Sequence, residues 1–179
     1  IGTDKGLTVF KDSISFPYPL PINHYATHNG LASNLVNSLF LTEDNHLICG
    51  TDQGFNYVNI SSMFDINSWK HFHKGNSPLL DNRINSVSAH GATIAIATRG
   101  GLITVKNLTN SAIWKTYTVS KYPDHFKSNE ILNVFVDQKE NVWCSYGIWN
   151  DEVLTIENPT VATITRISSD GTLYTWKKG

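Results

Sequence analysis

The sequence predicts an all-β protein made of β-propeller blades, each a sheet of four antiparallel strands, with about 3.5–4 blades of a larger ring present. Three observations carry that prediction. A unit repeats: Thr3, Thr51, Thr98 and Tyr146 fall 48, 47 and 48 residues apart, and Asn34, Asn82 and Asn129 fall 48 and 47 apart. Each unit holds four short runs rich in Val, Ile, Leu and aromatic residues, broken by turns containing Gly, Asn and Asp. No long segment shows the apolar period of an amphipathic helix. Four strands in a unit of this length are the signature of a propeller blade.

The strands follow in order. The first runs through Asn34–Phe40, Asn82–Val87 and Asn129–Asp137. A polar turn comes next: Glu43–His46, then Ala89–Gly91, which is one residue shorter, then Gln138–Asn141. The second strand is nearly all apolar, as in Leu47–Cys49, Ile94–Ala97 and Val142–Cys144. That suits a sheet covered on both faces by neighbouring blades. The third opens on a glycine, in Gly6–Phe10, Gly54–Val58 and Gly101–Val105. Each of these glycines lies three residues after its Thr, where a tight hairpin requires positive φ. The fourth carries an aromatic: Tyr25, Trp69–Phe72, Trp114–Tyr117 and Tyr174–Trp176.

The expected boundaries are therefore 1–33 for an incomplete first blade, 34–81 for the second, 82–128 for the third and 129–179 for a fourth with an insertion. Ile1 falls inside a second strand, so the 179 residues read as about half a ring. From Tyr146 to Trp176 is 30 residues, against 18 from Thr51 to Trp69. The surplus holds Trp149, Asn150 and Asp151, then what reads as an extra β-rich run, Val161–Ile167, closed by an Asp170-Gly171 hairpin turn.

Composition narrows the function classes. Apolar residues are 40%, charged residues 16% and aromatics 11%, which excludes a disordered tail. Fourteen basic against fifteen acidic side chains give net charge −1, not the basic footprint of a nucleic-acid binder. No apolar stretch reaches the roughly 18 residues of a membrane-spanning helix, so no membrane contact is expected within this segment. Cys49 and Cys144 occupy the same register in non-adjacent blades, too far apart for a disulfide. Two free, buried thiols are expected. The sequons at Asn59 and Asn107 are ordinary for an Asn-rich chain.

The pattern of a leading Asn, an apolar run, an acidic turn and then Leu-Ile-x-Gly-Thr-x-x-Gly-[Leu/Phe] resembles the two-component regulator propeller repeat. The match is strongest at Asn34–Phe55 and Asn129–Trp143. It departs at Ala97, where Ala replaces Gly, and at Ser145-Tyr146-Gly147, where the Gly-Thr pair is absent. The resemblance implies a seven-bladed, extracytoplasmic sensor propeller of a hybrid two-component regulator. In such proteins a second propeller, an immunoglobulin-like domain, a membrane helix and a kinase often accompany it. Similar repeats occur in secretion-related proteins.

In a propeller, the turns between second and third strands gather with the blade-to-blade connections at one end. Here those turns carry Asp4-Lys5, Asp52-Gln53, Arg99 and Trp149-Asn150. The candidate ligand-binding residues are Asp52, Gln53, Arg99, Trp149 and Asn150. Planar hydrogen bonding with an aromatic for stacking suits a sugar, although Asp-x-Gly is also plain turn chemistry. His71 and His73 share one face of an outer strand, but no third ligand joins them, so no metal is expected. No cofactor is implied, and no Ser-His-Asp set, Walker loop or Rossmann fingerprint occurs. Gly100-Gly101 reads as a hairpin turn.

The expected function is a non-catalytic, periplasmic sensor propeller responding to carbohydrate-derived ligands. Its expected partners are an oligosaccharide and either the rest of its own propeller or a second copy. Two alternatives stand beside it. One is a propeller enzyme of the lyase or quinoprotein type, although the paired His and Glu of a lyase cannot be identified in these turns. The other is a secretion or scaffold propeller that docks protein partners.

Overall fold

The computed structural model describes residues 1–10, 21–146 and 163–177. These form four antiparallel sheets. The first has three strands, β1 (Gly2–Thr3), β2 (Gly6–Phe10) and β3 (Pro21–Tyr25). The second is β4 (Val36–Leu41), β5 (His46–Thr51), β6 (Gly54–Asn59) and β7 (Lys70–Phe72). The third is β8 (Ile84–His90), β9 (Thr93–Thr98), β10 (Gly101–Lys106) and β11 (Ile113–Tyr117). The fourth is β12 (Ile131–Val136), β13 (Val142–Tyr146), β14 (Thr163–Ile167) and β15 (Leu173–Lys177). Within every sheet the strands lie side by side in chain order, as propeller blades do.

One expectation is corrected. The run ending at Ile167 is not an extra strand. It is β14, the third strand of the fourth blade, paired with β13 from Val142↔Ile167 to Tyr146↔Thr163. The Thr and Gly that mark this hairpin in the other blades are missing here, so the sequence carried no sign of where the third strand resumed. The Asp170-Gly171 turn stands as read, with Gly171 at φ 95°.

Each seam between sheets holds its own core. Leu7, Tyr25, Val36, Cys49, Val58 and Trp69 pack between the first and second sheets. Ile48, Phe55, Tyr57, Ile84, Ile96 and Ile103 pack between the second and third. Ala95, Leu102, Tyr117, Ile131, Val142 and Tyr146 pack between the third and fourth. The third blade shows why its second strand lacks polar alternation. Ile94 and Ile96 face back and Ala95 and Ala97 face forward, so all of Thr93–Thr98 is buried. Cys49 and Cys144 are buried, free thiols, as expected.

The first strands are stitched across the seams by polar groups. β4, β8 and β12 each slip register after their first residue, which makes a bulge at Asn37, Asn85 and Leu132. The Asn37 amide donates to the Ile84 carbonyl at 3.0 Å, and the Asn85 amide to the Ile131 carbonyl at 2.8 Å. Ser38 accepts from the Val87 N–H at 3.0 Å, and Ser88 from the Val136 N–H at 3.0 Å. A first strand has a sheet partner on one side only. The preceding blade supplies the acceptors its free N–H groups need.

Candidate functional site

The end where second strands meet third strands is built from three equivalent turns. Thr51 Oγ1 donates to the Gly54 carbonyl at 2.8 Å and accepts from the Gln53 N–H at 3.1 Å. Thr98 does the same with Gly101 and Gly100, and Thr3 with Gly6 and Lys5. Thr51 and Thr98 are fully buried, so each hydroxyl rigidifies its turn from below. Gly6, Gly54 and Gly101 have φ of 127°, 113° and 149°, as the hairpin requires. A Cβ at Gly54 would also strike the Phe72 carbonyl oxygen.

The outer strand braces two of these turns. His24 Nε2 bonds the Lys5 carbonyl at 3.1 Å, and His71 Nε2 bonds the Gln53 carbonyl at 3.0 Å. His71 is thus occupied as a turn brace. His73 Nδ1 accepts from the Gly75 N–H at 3.0 Å.

The connections between blades lie at the same end and are set by asparagines. Asn34 Oδ1 accepts from Thr27 N, Asn82 Oδ1 from Lys74 N, and Asn129 Oδ1 from Val119 N. Asn29 accepts from Ala26 N and donates to the His24 carbonyl; Asn76 accepts from His73 N and donates to the His71 carbonyl. The buried Asn56 clamps the first connection through Ala32 N at 2.7 Å and the Gly30 carbonyl at 2.9 Å. Each connection drops one apolar plug into its seam: Leu31, Leu79 and Phe126, all buried. These plugs are 48 and 47 residues apart, the same period as the strands, and sequence reading missed them.

On this scaffold Asp52 and Gln53 cap the β5–β6 turn, and Arg99 caps the β9–β10 turn of the next blade. Gln53 and Arg99 are exposed; Asp52 is half-buried, and its Oδ1 is enclosed with no hydrogen-bond partner among the described residues. The connection after the second blade runs between the two turns. The Asn82 backbone carbonyl accepts from the Gly54 N–H at 2.7 Å, and the Leu80 carbonyl lies beneath Gly100. No hydrogen bond or ion pair joins Asp52 to Arg99 among the described residues. At a shared end, the turn of the second blade presents one carboxylate and one amide, and the turn of the third blade one guanidinium. Trp149 and Asn150 lie outside the described residues.

The opposite end carries a different feature. A cleft of about 220 Å³ opens between the third and fourth sheets, lined by Thr93, Thr104, Lys106, Lys115, Glu140 and Ser169 among others. Glu140 stands at φ 57°, a strained conformation for a side-chain-bearing residue. From there its carboxylate crosses the seam to accept from Thr93 Oγ1 at 2.6 Å and Lys106 Nζ at 3.1 Å. The Thr93 hydroxyl, with the Lys106 ammonium behind it, holds Glu140 below the ordinary carboxylate range. Asp137, in the same turn, is raised by desolvation. Hydrogen bonds from Trp143 Nε1, Asn141 Nδ2 and the N–H groups of Asn141 and Lys139 outweigh this and carry it far below that range.

No protein-family model and no curated protein sequence matches the chain. Solved structures do. The extracellular domain of the hybrid two-component system BT3049 from B. thetaiotaomicron superposes with a TM-score of 0.68 at 21% identity, over 98% of this chain and 21% of that one. The extracellular domain of BT4673 from the same organism gives 0.58 at 14% identity, over 99% of this chain and 29% of that one. PorZ, a surface component of the type-IX secretion system of Porphyromonas gingivalis, gives 0.50 at 15% identity, over 87% of this chain and 27% of that one. The chain therefore spans between a fifth and a third of the length of these solved chains, and what it shares with them is the fold: consecutive blades of a β-propeller.

Proposed function

We propose that the chain is part of an extracytoplasmic sensor propeller of a two-component regulator, and that it binds a carbohydrate-derived ligand at the end where the second-to-third-strand turns gather. The observation that carries this reading is the superposition on the extracellular domain of a hybrid two-component system across 98% of the chain. The turn chemistry supports it. Among the described residues one carboxylate oxygen of Asp52 has no hydrogen-bond partner, and the Gln53 amide and Arg99 guanidinium are exposed on Thr-capped turns. Fixed donors and acceptors of this kind bind sugar hydroxyls without the cost of ordering a loop. Trp149 and Asn150 complete the proposed set.

A thermal-shift screen of the full-length ectodomain against an oligosaccharide panel tests the reading. A ligand at a hundred times its Kd stabilises by about 2.7 kcal/mol, a shift that is readily seen. Arg99→Ala and Asp52→Asn abolish that shift while leaving the unliganded melting point in place. A panel that produces no shift, or a shift indifferent to both substitutions, refutes binding at this end.

The PorZ likeness favours a second reading, a surface propeller that docks protein partners. In that case the ectodomain captures a protein partner and no glycan moves its melting point.

A further inference from the structure

The outward face of the fourth sheet is aromatic and open. Phe135, Trp143, Arg166 and Tyr174 form one row across all four strands, through the pairs Phe135↔Trp143, Trp143↔Arg166 and Arg166↔Tyr174. Ile164↔Trp176 lies in the row beside it. Phe135 is 60% exposed, Trp176 48%, Ile164 47% and Tyr174 44%. Such an apolar face is not left to water without a reason.

The repeat says what covers it. The same row in the second sheet is Phe40, Ile48, Tyr57 and Lys70, and the third sheet packs on it. In the third sheet the row is Ser88, Ala95, Thr104 and Lys115, and the fourth sheet packs on that. At both seams this register is an interface between blades. The superposed structures are several times longer than this chain, so further blades are available to continue the series.

Charge specifies the occupant further. Both seams that join four-stranded sheets carry an acid–base pair near the first turn. At one, the earlier sheet brings the acid, Glu43, to His90 of the later sheet at 3.0 Å; at the other the polarity is reversed, and Glu140 from the later sheet's first turn meets Lys106 of the earlier sheet at 3.1 Å. On the open face the base is Arg166. Its guanidinium carbon sits 4.4 Å from the Tyr174 ring centre, 5.6 Å from Trp143 and 5.9 Å from Trp176, which holds it in place by cation–π attraction. Its Nε is enclosed and has no hydrogen-bond partner among the described residues. The exposed Asp170 carboxylate feels its charge but makes no ion pair with it, so covering this face without a closer counter-charge would bury a cation with no ion-pair partner among the described residues, which is strongly destabilising. The register of Arg166 is that of Thr104, and Thr104 lines the same cleft as Glu140.

We propose that the fourth sheet's outward face seats a further blade of the same repeat, carried by the same protein, and that this blade brings a carboxylate from the turn between its first two strands onto Arg166. The inference rests on the propeller reading. It adds the contact that the next blade must make.

The test uses the full-length protein and compares three substitutions by equilibrium unfolding and solution mass. Phe135→Asp, at an exposed position, damages the seat whatever the charge pattern. Arg166→Glu attacks only the proposed pair. The third exchanges the acidic residue of the next blade's first turn for Arg. The proposal expects Phe135→Asp and Arg166→Glu each to lower the folding equilibrium constant by about 10-fold or more, and Arg166→Glu combined with the reversed partner to recover most of that loss. Loss with Phe135→Asp but none with Arg166→Glu overturns the carboxylate while leaving the blade seat. No loss with either shows the face uncovered, and the propeller reading of this face fails with it. A doubled solution mass that Phe135→Asp halves assigns the face to a second copy and overturns the same-chain occupant.

Discussion

Gly50 offers the sharpest test of how closely the blades approach. Its φ is not positive, so no backbone strain demands glycine there. Space does. A Cβ built at Gly50 would sit 2.6 Å from Ile84 Cγ2 and 3.2 Å from Ile84 Cβ, across the seam between the second and third sheets. Carbon atoms pack best at about 3.5–4.0 Å, so the overlap is about 1 Å. Ile84 is fully buried and β-branched, so its methyl cannot swing away without leaving its rotamer. The clash costs about 1–3 kcal/mol, as overpacking does. Alanine recovers about 0.4–1 kcal/mol by restricting the unfolded chain. The net expectation for Gly50→Ala is destabilisation by about 1–2 kcal/mol, or about 5- to 30-fold in the folding equilibrium.

Urea unfolding, followed by circular dichroism and tryptophan fluorescence together, measures it. A double-mutant cycle isolates the cause. Ile84→Ala alone costs about 2–5 kcal/mol. On that background Gly50→Ala fills vacated space and turns neutral or stabilising, a coupling of about 1–3 kcal/mol. The third blade supplies the reverse case. Ala97 holds the Gly50 register and is buried in one cluster with Ile131, so that seam is already spaced for a methyl. Ala97→Gly therefore destabilises, by about 1 kcal/mol. If Gly50→Ala is as stable as the parent, or if its cost is unchanged beside Ile84→Ala, close approach is not the reason for the glycine.

Burial pushes the Cys49 and Cys144 thiols up to about 12, so neither reacts with a thiol reagent at pH 8 until the chain unfolds; both then react without prior reduction, and fewer than two titratable thiols would contradict the free pair. Glu140 and Asp137 are held below their ordinary values in the fold, so the stability they contribute is complete above those values of 4.5 and 3.8 and is lost as pH falls below them. Glu140→Gln accordingly makes the acid limb of the stability–pH curve shallower, whereas an unchanged slope would show that the cross-seam carboxylate contributes nothing.

Much of the fold could be read because the repeat constrains particular atoms. The Thr needs its hydroxyl under the turn, the glycine three residues later needs positive φ, and the leading Asn holds the preceding connection. Each requirement recurs every 47–48 residues, so spacing alone exposed it. The stitches across the seams recur with the same period, at Asn37 and Asn85 and at Ser38 and Ser86. They were visible as letters, but their partners lie one whole repeat away, and only the stacking of blades shows what those side chains meet. The fourth blade failed where the markers failed. Tyr146 stands in place of the Thr, so nothing flagged β14 as the third strand, although its β-branched composition was plain.

The same logic explains why the candidate site was only half legible. Positions that hold up the turn repeat; positions that face solvent from it do not. Asp4-Lys5, Asp52-Gln53 and Arg99-Gly100 share one backbone geometry, set by Thr and Gly, while the first position is Asp twice and then Arg, and the second is Lys, Gln and Gly in turn. Asp52 goes further, because it keeps an enclosed carboxylate oxygen with no partner among the described residues, at a cost that the repeat itself does not require. On the proposed reading, divergence at equivalent positions on a common scaffold would let each blade contribute a different contact to a ligand at the same end.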